Sequence, residues 1–179
     1  MTQVLLVTGA CRSLGIGHSV AKLAVEQGWK VVANGRSEPS WSDPGVTFVL
    51  GDITSGAVQT AMIETAVNKY GRIDALVHNA ALTHSAADPN TQDWIEEYRI
   101  SVVAPYELTV LARPWLQECQ GSVVMIGSRS GTRPHRANSV AYGVAKSAQH
   151  QLARELAVRF APIRVNAVAP GLTLSARQL

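Results

Sequence analysis

Cysteine, charge, aromatic side chains and long apolar runs are all scarce in this 179-residue chain, and each scarcity excludes something. The two cysteines, Cys11 and Cys119, lack C-x-x-C spacing and read as reduced thiols rather than a disulfide framework, which makes a reducing, cytoplasmic setting the expectation. Charged residues make up 16%, against about 25% in an average globular domain, and the 16 basic ones are scattered for a net charge of +3. Nucleic acid, which selects a clustered basic face, is therefore not an expected partner. No apolar run reaches the roughly 18 residues of a membrane span, and Met1-Thr2-Gln3 offers no basic lead-in to a signal peptide, so no membrane partner is expected either. The five histidines, His18, His78, His84, His135 and His150, include no i, i+4 pair and no Cys/His cluster, so no metal site is expected.

What remains is apolar and ordered. At 46% hydrophobic residues, a chain of this length buries a core of its own, and residues 1–179 read as a single domain. Six short apolar runs, Val4–Val7, Val31–Ala33, Val46–Leu50, Ala75–Val77, Val123–Ile126 and Ile163–Ala169, read as strands buried on both faces. Stretches of helical period separate them: about Gly17 to Gln27, Ala57 to Tyr70, Asp93 to Gln117 and Val140 to Phe160. This alternation specifies βαβ units and an α/β fold, a parallel sheet covered on both sides in three layers. The link from Gly35 to Gly45 carries two prolines and no helical pattern, so its crossover helix is short or missing. On the third helical stretch, Trp94, Tyr98, Tyr106, Trp115 and Leu116 read as packing residues.

The first strand runs into Thr8-Gly9-Ala10-Cys11-Arg12-Ser13-Leu14-Gly15-Ile16-Gly17 and then a helix. Glycines at a strand-to-helix turn admit a pyrophosphate close to the backbone, where the helix N-terminus offers N–H groups and a positive dipole end, so a dinucleotide site is expected. The same N-terminus is a setting that lowers a thiol pKa, which directs attention to Cys11. This turn resembles that of the short-chain dehydrogenase/reductase family, T-G-x-x-x-G-x-G, in a form two residues longer that is similar to pteridine reductases. The second strand ends Asn34-Gly35-Arg36-Ser37 with no carboxylate before Glu38. An acid there would favour NAD, whereas Arg36, Ser37 and Arg12 suit the 2′-phosphate of NADP(H).

Further stretches extend the resemblance. His78-Asn79-Ala80-Ala81 is similar to the family's Asn-Asn-Ala-Gly motif, and Asp52-Ile53 stands where the family contacts adenine. Tyr142 and Lys146 are four apart, on one helix face, and a cation beside a phenol favours the phenolate that acid–base chemistry needs. Gly127-Ser128-Arg129-Ser130-Gly131 resembles the family's serine stretch, with Ser128 as the implied catalytic serine and Ser130 the alternative. Pro170-Gly171 resembles the loop beside the nicotinamide, and Ser101 stands in place of the family's relay asparagine, ahead of Ala104-Pro105. The resemblance thus implies a Rossmann-type doubly wound sheet and an NADP(H)-dependent oxidoreductase interconverting a carbonyl and an alcohol. Ser128, Tyr142, Lys146 and Ser101 form its catalytic set. Gly9, Arg12, Ser13, Gly15, Ile16, Gly17, Arg36, Ser37, Asp52, Ile53, Asn79, Ala80, Tyr142, Lys146, Pro170 and Gly171 hold the cofactor. It further implies a homodimer or homotetramer, and a chain short of the family's last strand and substrate-covering helices. Two other readings are a non-catalytic NADP(H)-binding sensor or scaffold on the same fold, and a dehydratase or epimerase sharing the Tyr and Lys.

Overall fold

The computed structural model describes residues 2–82, 88–134 and 139–173; His84, His135 and the segment 174–179 lie outside them. Six parallel strands, β1 (Val4–Val7), β2 (Lys30–Gly35), β3 (Val46–Leu50), β4 (Ala75–His78), β5 (Ser122–Ile126) and β6 (Arg164–Val168), form one sheet in the order β3-β2-β1-β4-β5-β6. The order reverses between β1 and β4, and the carboxyl ends of these two strands open the crevice where ligands bind in this architecture. At the opposite end, buried Asp74 ties the chain start to the sheet by accepting from the Val4 N–H (2.8 Å) and from Arg72.

Helices α1 (Ile16–Glu26), α2 (Gly56–Tyr70), α3 (Thr91–Tyr98), α4 (Ala104–Glu118) and α5 (Val140–Arg159) follow the expected order. The larger core joins α2, α4 and α5 to one face of the sheet through Met62, Ile63, Leu108, Leu116, Leu156 and Phe160 against Val4, Leu6, Val123 and Met125. The other face packs Leu5, Val7, Val31 and Ala33 against Ala21 and Ala24 of α1. No helix crosses from β2 to β3, as the two prolines require, and Trp41 does the covering instead. Its ring meets His18 and Phe48 edge-on, and its indole N–H donates to the Ala10 carbonyl (2.8 Å).

Three expectations fail, each for a physical reason. Burial on both faces holds for β1 and β2 but not for the edge strands: β3 is half-buried and β6 buries only Val165. The helix expected over 93–117 is interrupted by a π-helical turn, Arg99–Val103, closed by the Ala104 N–H on the Arg99 carbonyl. Pro105 has no N–H to give the carbonyl four residues back, which is that of Ser101, so the helix widens there. The aromatic residues of this stretch also do not all pack inward. Trp94, Tyr98 and Tyr106 are exposed and Leu116 is buried, because the π turn rotates the faces on either side of it.

Candidate functional site

The glycine turn is built by a latch between the ends of β1 and β4. Thr8, at 2% exposure, accepts through its hydroxyl from the backbone N–H groups of Asn79 and Ala80, both at 3.0 Å. Asn79 answers by donating from its side-chain amide to the carbonyls of Thr8 and Gly9, both at 2.9 Å. Gly9 takes φ +69°, and a Cβ there would stand 2.8 Å from the Ala80 Cα. A Cβ on Gly17 would lie 2.5 Å from the Asn79 amide nitrogen, whereas one on Gly15 would meet nothing within 4 Å. The turn is thus packed underneath and open above, and α1 begins with no side-chain cap and no acid in its first turn. An uncapped N-terminus beneath open space fits a diphosphate.

The longer turn is stitched to the segment after β2. Ala10 donates to the Asn34 carbonyl (2.8 Å), Ser40 donates to the Cys11 carbonyl (2.9 Å), and the Ser13 N–H donates to the Ser40 hydroxyl (2.8 Å). These bonds put Arg12 and Arg36-Ser37 on one exposed rim, and neither arginine is in an ion pair among the described residues. Buried Asn34 fastens the neighbouring strand end, donating to the carbonyls of Val49 and Gly51. Cys11 behaves oppositely to its local setting. It is buried beneath Gly35, and burial, followed by the charge of Glu38, raises its thiol pKa. Asp52 is exposed in the turn that leads into α2, accepting from both the N–H and the hydroxyl of Thr54 at 2.9 Å.

Across the crevice, β5 delivers Ser128 to a single 3₁₀ turn, Arg129–Gly131, packed on α5. A Cβ on Gly131 would stand 2.7 Å from the Lys146 backbone, and one on Gly143 would sit 3.4 Å from the Ser130 carbonyl. Only glycine at the first of these positions lets the serine turn lie against the turn of helix that carries Tyr142 and Lys146. The Ser128 hydroxyl accepts from the Ser130 N–H (3.1 Å), and the Arg129 N–H donates to the Pro170 carbonyl (3.0 Å), which brings Pro170-Gly171 to the same rim. Lys146 is 1% exposed, its ammonium 5.7 Å from the Tyr142 ring centre and donating to the Ile126 carbonyl (3.0 Å). Ser101 is fully buried in the π turn, and its hydroxyl has no hydrogen-bond partner among the described residues.

The sequence pattern of the short chain dehydrogenase family matches residues 3–178. The chain belongs to the short-chain dehydrogenase family. A protein of Streptomyces violaceoruber that carries the provisional name of a ketoacyl reductase of granaticin polyketide synthase is 36% identical over 94% of the chain, which spans 72% of that relative. Among solved structures, the KRED1-Pglu enzyme superposes with a TM-score of 0.88 at 30% identity, over 99% of this chain and 77% of its own. ElxO with NADP bound superposes equally well, with a TM-score of 0.88 at 28% identity, over 99% and 76%. The chain is accordingly an oxidoreductase-family protein with ketoreductase relatives.

Against that family pattern, local sequence reading missed two side chains at the site. His150 of α5 lies against Gly127, and its Nε2 accepts from the Ser128 N–H (3.3 Å), fixing the serine backbone. An imidazole that accepts there is neutral, and burial, then Lys146 and Arg154, lower its pKa. Gln149, one residue earlier, is wholly buried against Lys146. His78, by contrast, is structural. Its Nε2 meets the Thr109 hydroxyl (2.8 Å), whose own proton goes to the Pro105 carbonyl (2.7 Å), so the imidazole donates. Burial, then the Lys146 charge, hold it neutral with a pKa of about 3.

Proposed function

We propose that the protein is an NADP(H)-dependent oxidoreductase that interconverts a small-molecule ketone or aldehyde with its alcohol. The observation that carries this reading is the packing of the Ser128 turn, through Gly131, on the helical turn that bears Tyr142 and Lys146. Bound at this site, the nicotinamide cofactor supplies or takes up a hydride. Tyr142 gives a proton to the carbonyl oxygen, or takes one from the alcohol, and Lys146 supplies the adjacent positive charge and holds the nicotinamide ribose. The Ser128 hydroxyl, which accepts from the Ser130 N–H, donates its proton to the substrate oxygen, a carbonyl oxygen being able only to accept. Ser101 takes the place of the relay asparagine, offering a single hydroxyl from the π turn.

Residues around the switch point would hold the cofactor. Gly9, Ser13, Gly15, Ile16 and Gly17 would receive its diphosphate, Asn79 and Ala80 the adjoining ribose, Asp52 and Ile53 the adenine, and Pro170-Gly171 the nicotinamide. Arg12, Arg36 and Ser37 select the 2′-phosphate, because the rim has two guanidinium groups outside any ion pair among the described residues and no carboxylate at the end of β2. The NADP held by the similar ElxO agrees with this choice. Exposed Tyr106, Val110 and Leu111 on α4 and Val144 on α5 support a homodimer or homotetramer. The chain is expected in the cytoplasm as one domain, and no helix among the described residues is long and apolar enough to cross a membrane. The test is to mix the protein with NADPH and a panel of ketones, β-keto esters and quinones and follow the absorbance of the reduced cofactor. Turnover supports the reading; intact NADPH binding without turnover points to a cofactor-binding sensor instead.

A further inference from the structure

Lys146 is among the largest fully buried side chains in the protein, so its ammonium has to be satisfied from within. One proton goes to the Ile126 carbonyl (3.0 Å), at the end of β5 and two residues ahead of Ser128. Another goes to the Gln149 side-chain oxygen, at 2.9 Å and 0% exposure. The chemistry fixes this orientation, because an ammonium only donates and the amide must therefore turn its oxygen toward it. Its NH₂ then points into the interior, and that nitrogen finds no hydrogen-bond partner among the described residues. Leaving a buried donor unmet is costly, so a well-packed apolar side chain of the same length would suit the core better. The amide is kept at that cost, and its oxygen contacts Lys146.

We infer that Gln149 is a positioning residue for the proposed reaction, holding the Lys146 ammonium in place between α5 and the end of β5. The inference rests on the reading of Lys146 given above. Two residues on one turn of α5 then steady opposite members of the set: Gln149 the lysine, and His150 the backbone of Ser128. The charged and titratable groups that face Lys146 or His150 here include Tyr142 and Arg154 on α5 and His78 at the end of β4, while Glu97 is buried on α3, which packs on α5.

The test uses Gln149→Met, which keeps the length and loses the acceptor, and Gln149→Glu, which restores one. Acetic anhydride labelling of the intact protein, read by peptide mass spectrometry with exposed Lys22 as the internal reference, reports how firmly Lys146 is held. In Q149M, Lys146 labels at least threefold faster relative to Lys22 than in the parent, while in Q149E labelling returns toward the parent value. In NADPH turnover with whichever ketone of the panel reacts, kcat falls about ten- to a hundredfold in Q149M, the loss of one hydrogen bond to a charged group. Unchanged labelling in Q149M overturns the inference, and so does faster labelling with parental kcat. If Q149M does not fold, Gln149→Ser, too short to reach Lys146, replaces it with the same expected results. The labelling needs no turnover, so an inactive parent would refute the oxidoreductase reading alone.

Discussion

Replacing Thr8 by Val tests whether the latch between β1 and β4 holds the site together. The two side chains are nearly the same shape, so the substitution leaves no cavity in a position only 2% exposed. It removes one hydroxyl oxygen, and with it the acceptor for two backbone donors, the N–H groups of Asn79 and Ala80, each at 3.0 Å. A buried donor left unmet costs about 1–3 kcal/mol. Both donors are partly buried, so the low end applies to each and the total is about 2–3 kcal/mol. For a chain of this size that lowers the melting temperature by about 5–10 °C. Urea unfolding and a thermal melt followed by circular dichroism read the loss, and Thr8→Ser, which keeps the hydroxyl, separates it from the methyl group. A second readout is NADPH affinity, because Asn79 holds the Thr8 and Gly9 carbonyls from the backbone that Thr8 anchors. A loss under about 0.5 kcal/mol in Thr8→Val, or an equal loss in Thr8→Ser, refutes the reasoning.

Other consequences are as direct. Gly131→Ala places a Cβ 2.7 Å from the Lys146 backbone, so the serine turn lifts off α5; stability falls by about 1–3 kcal/mol, and kcat falls more steeply than NADPH affinity in a titration run beside the assay. Arg36→Ala weakens NADPH binding by about ten- to a hundredfold and leaves NADH binding unchanged, measured by fluorescence titration of both cofactors. His78 is neutral when folded, with a pKa of about 3 against 6.5 unfolded, so the stability it contributes is present above pH 6.5 and lost as pH falls below it. Between pH 6.5 and about 5 that loss approaches 2 kcal/mol, and urea titrations across this range should show a shallower slope for His78→Gln than for the parent.

The parts of the molecule that neighbouring residues dictate are legible in the sequence itself. Apolar runs such as Val4–Val7 bury themselves on both faces, the glycines of the first turn follow a strand and open a helix, and Tyr142 and Lys146 share a helix face by spacing alone. The rest depends on contacts between distant segments. Cys11 precedes a helix N-terminus in sequence, but it stands four residues ahead of the cap at Gly15, Gly35 of another strand covers it, and burial raises its thiol pKa. His150 reaches Ser128 across 22 residues, which no periodic pattern reveals. Gln149 and the π turn lie between these cases. Gln149 stands three residues after Lys146, a spacing that brings side chains together on any helix, and Pro105 stands four residues after Ser101, where its missing N–H opens the ladder.

The glycines show why function here is more fragile than fold. Gly17 backs onto the amide of Asn79, and Gly131 backs onto the main chain at Lys146. Each contact joins two elements that the sheet topology already brings close, so the fold does not depend on the last half ångström of approach. The proposed site does, since the first contact sets the height of the glycine turn and the second sets the distance of the serine turn from the turn of α5 that bears Tyr142 and Lys146. A methyl group at either position costs a domain of this size a tolerable fraction of its stability, about 1–3 kcal/mol. Displacing a reacting group by even about 1 Å costs about a hundredfold in rate. Substitutions along these two seams should therefore yield proteins that melt within several degrees of the parent, retain the circular dichroism of the α/β fold, and have lost their turnover.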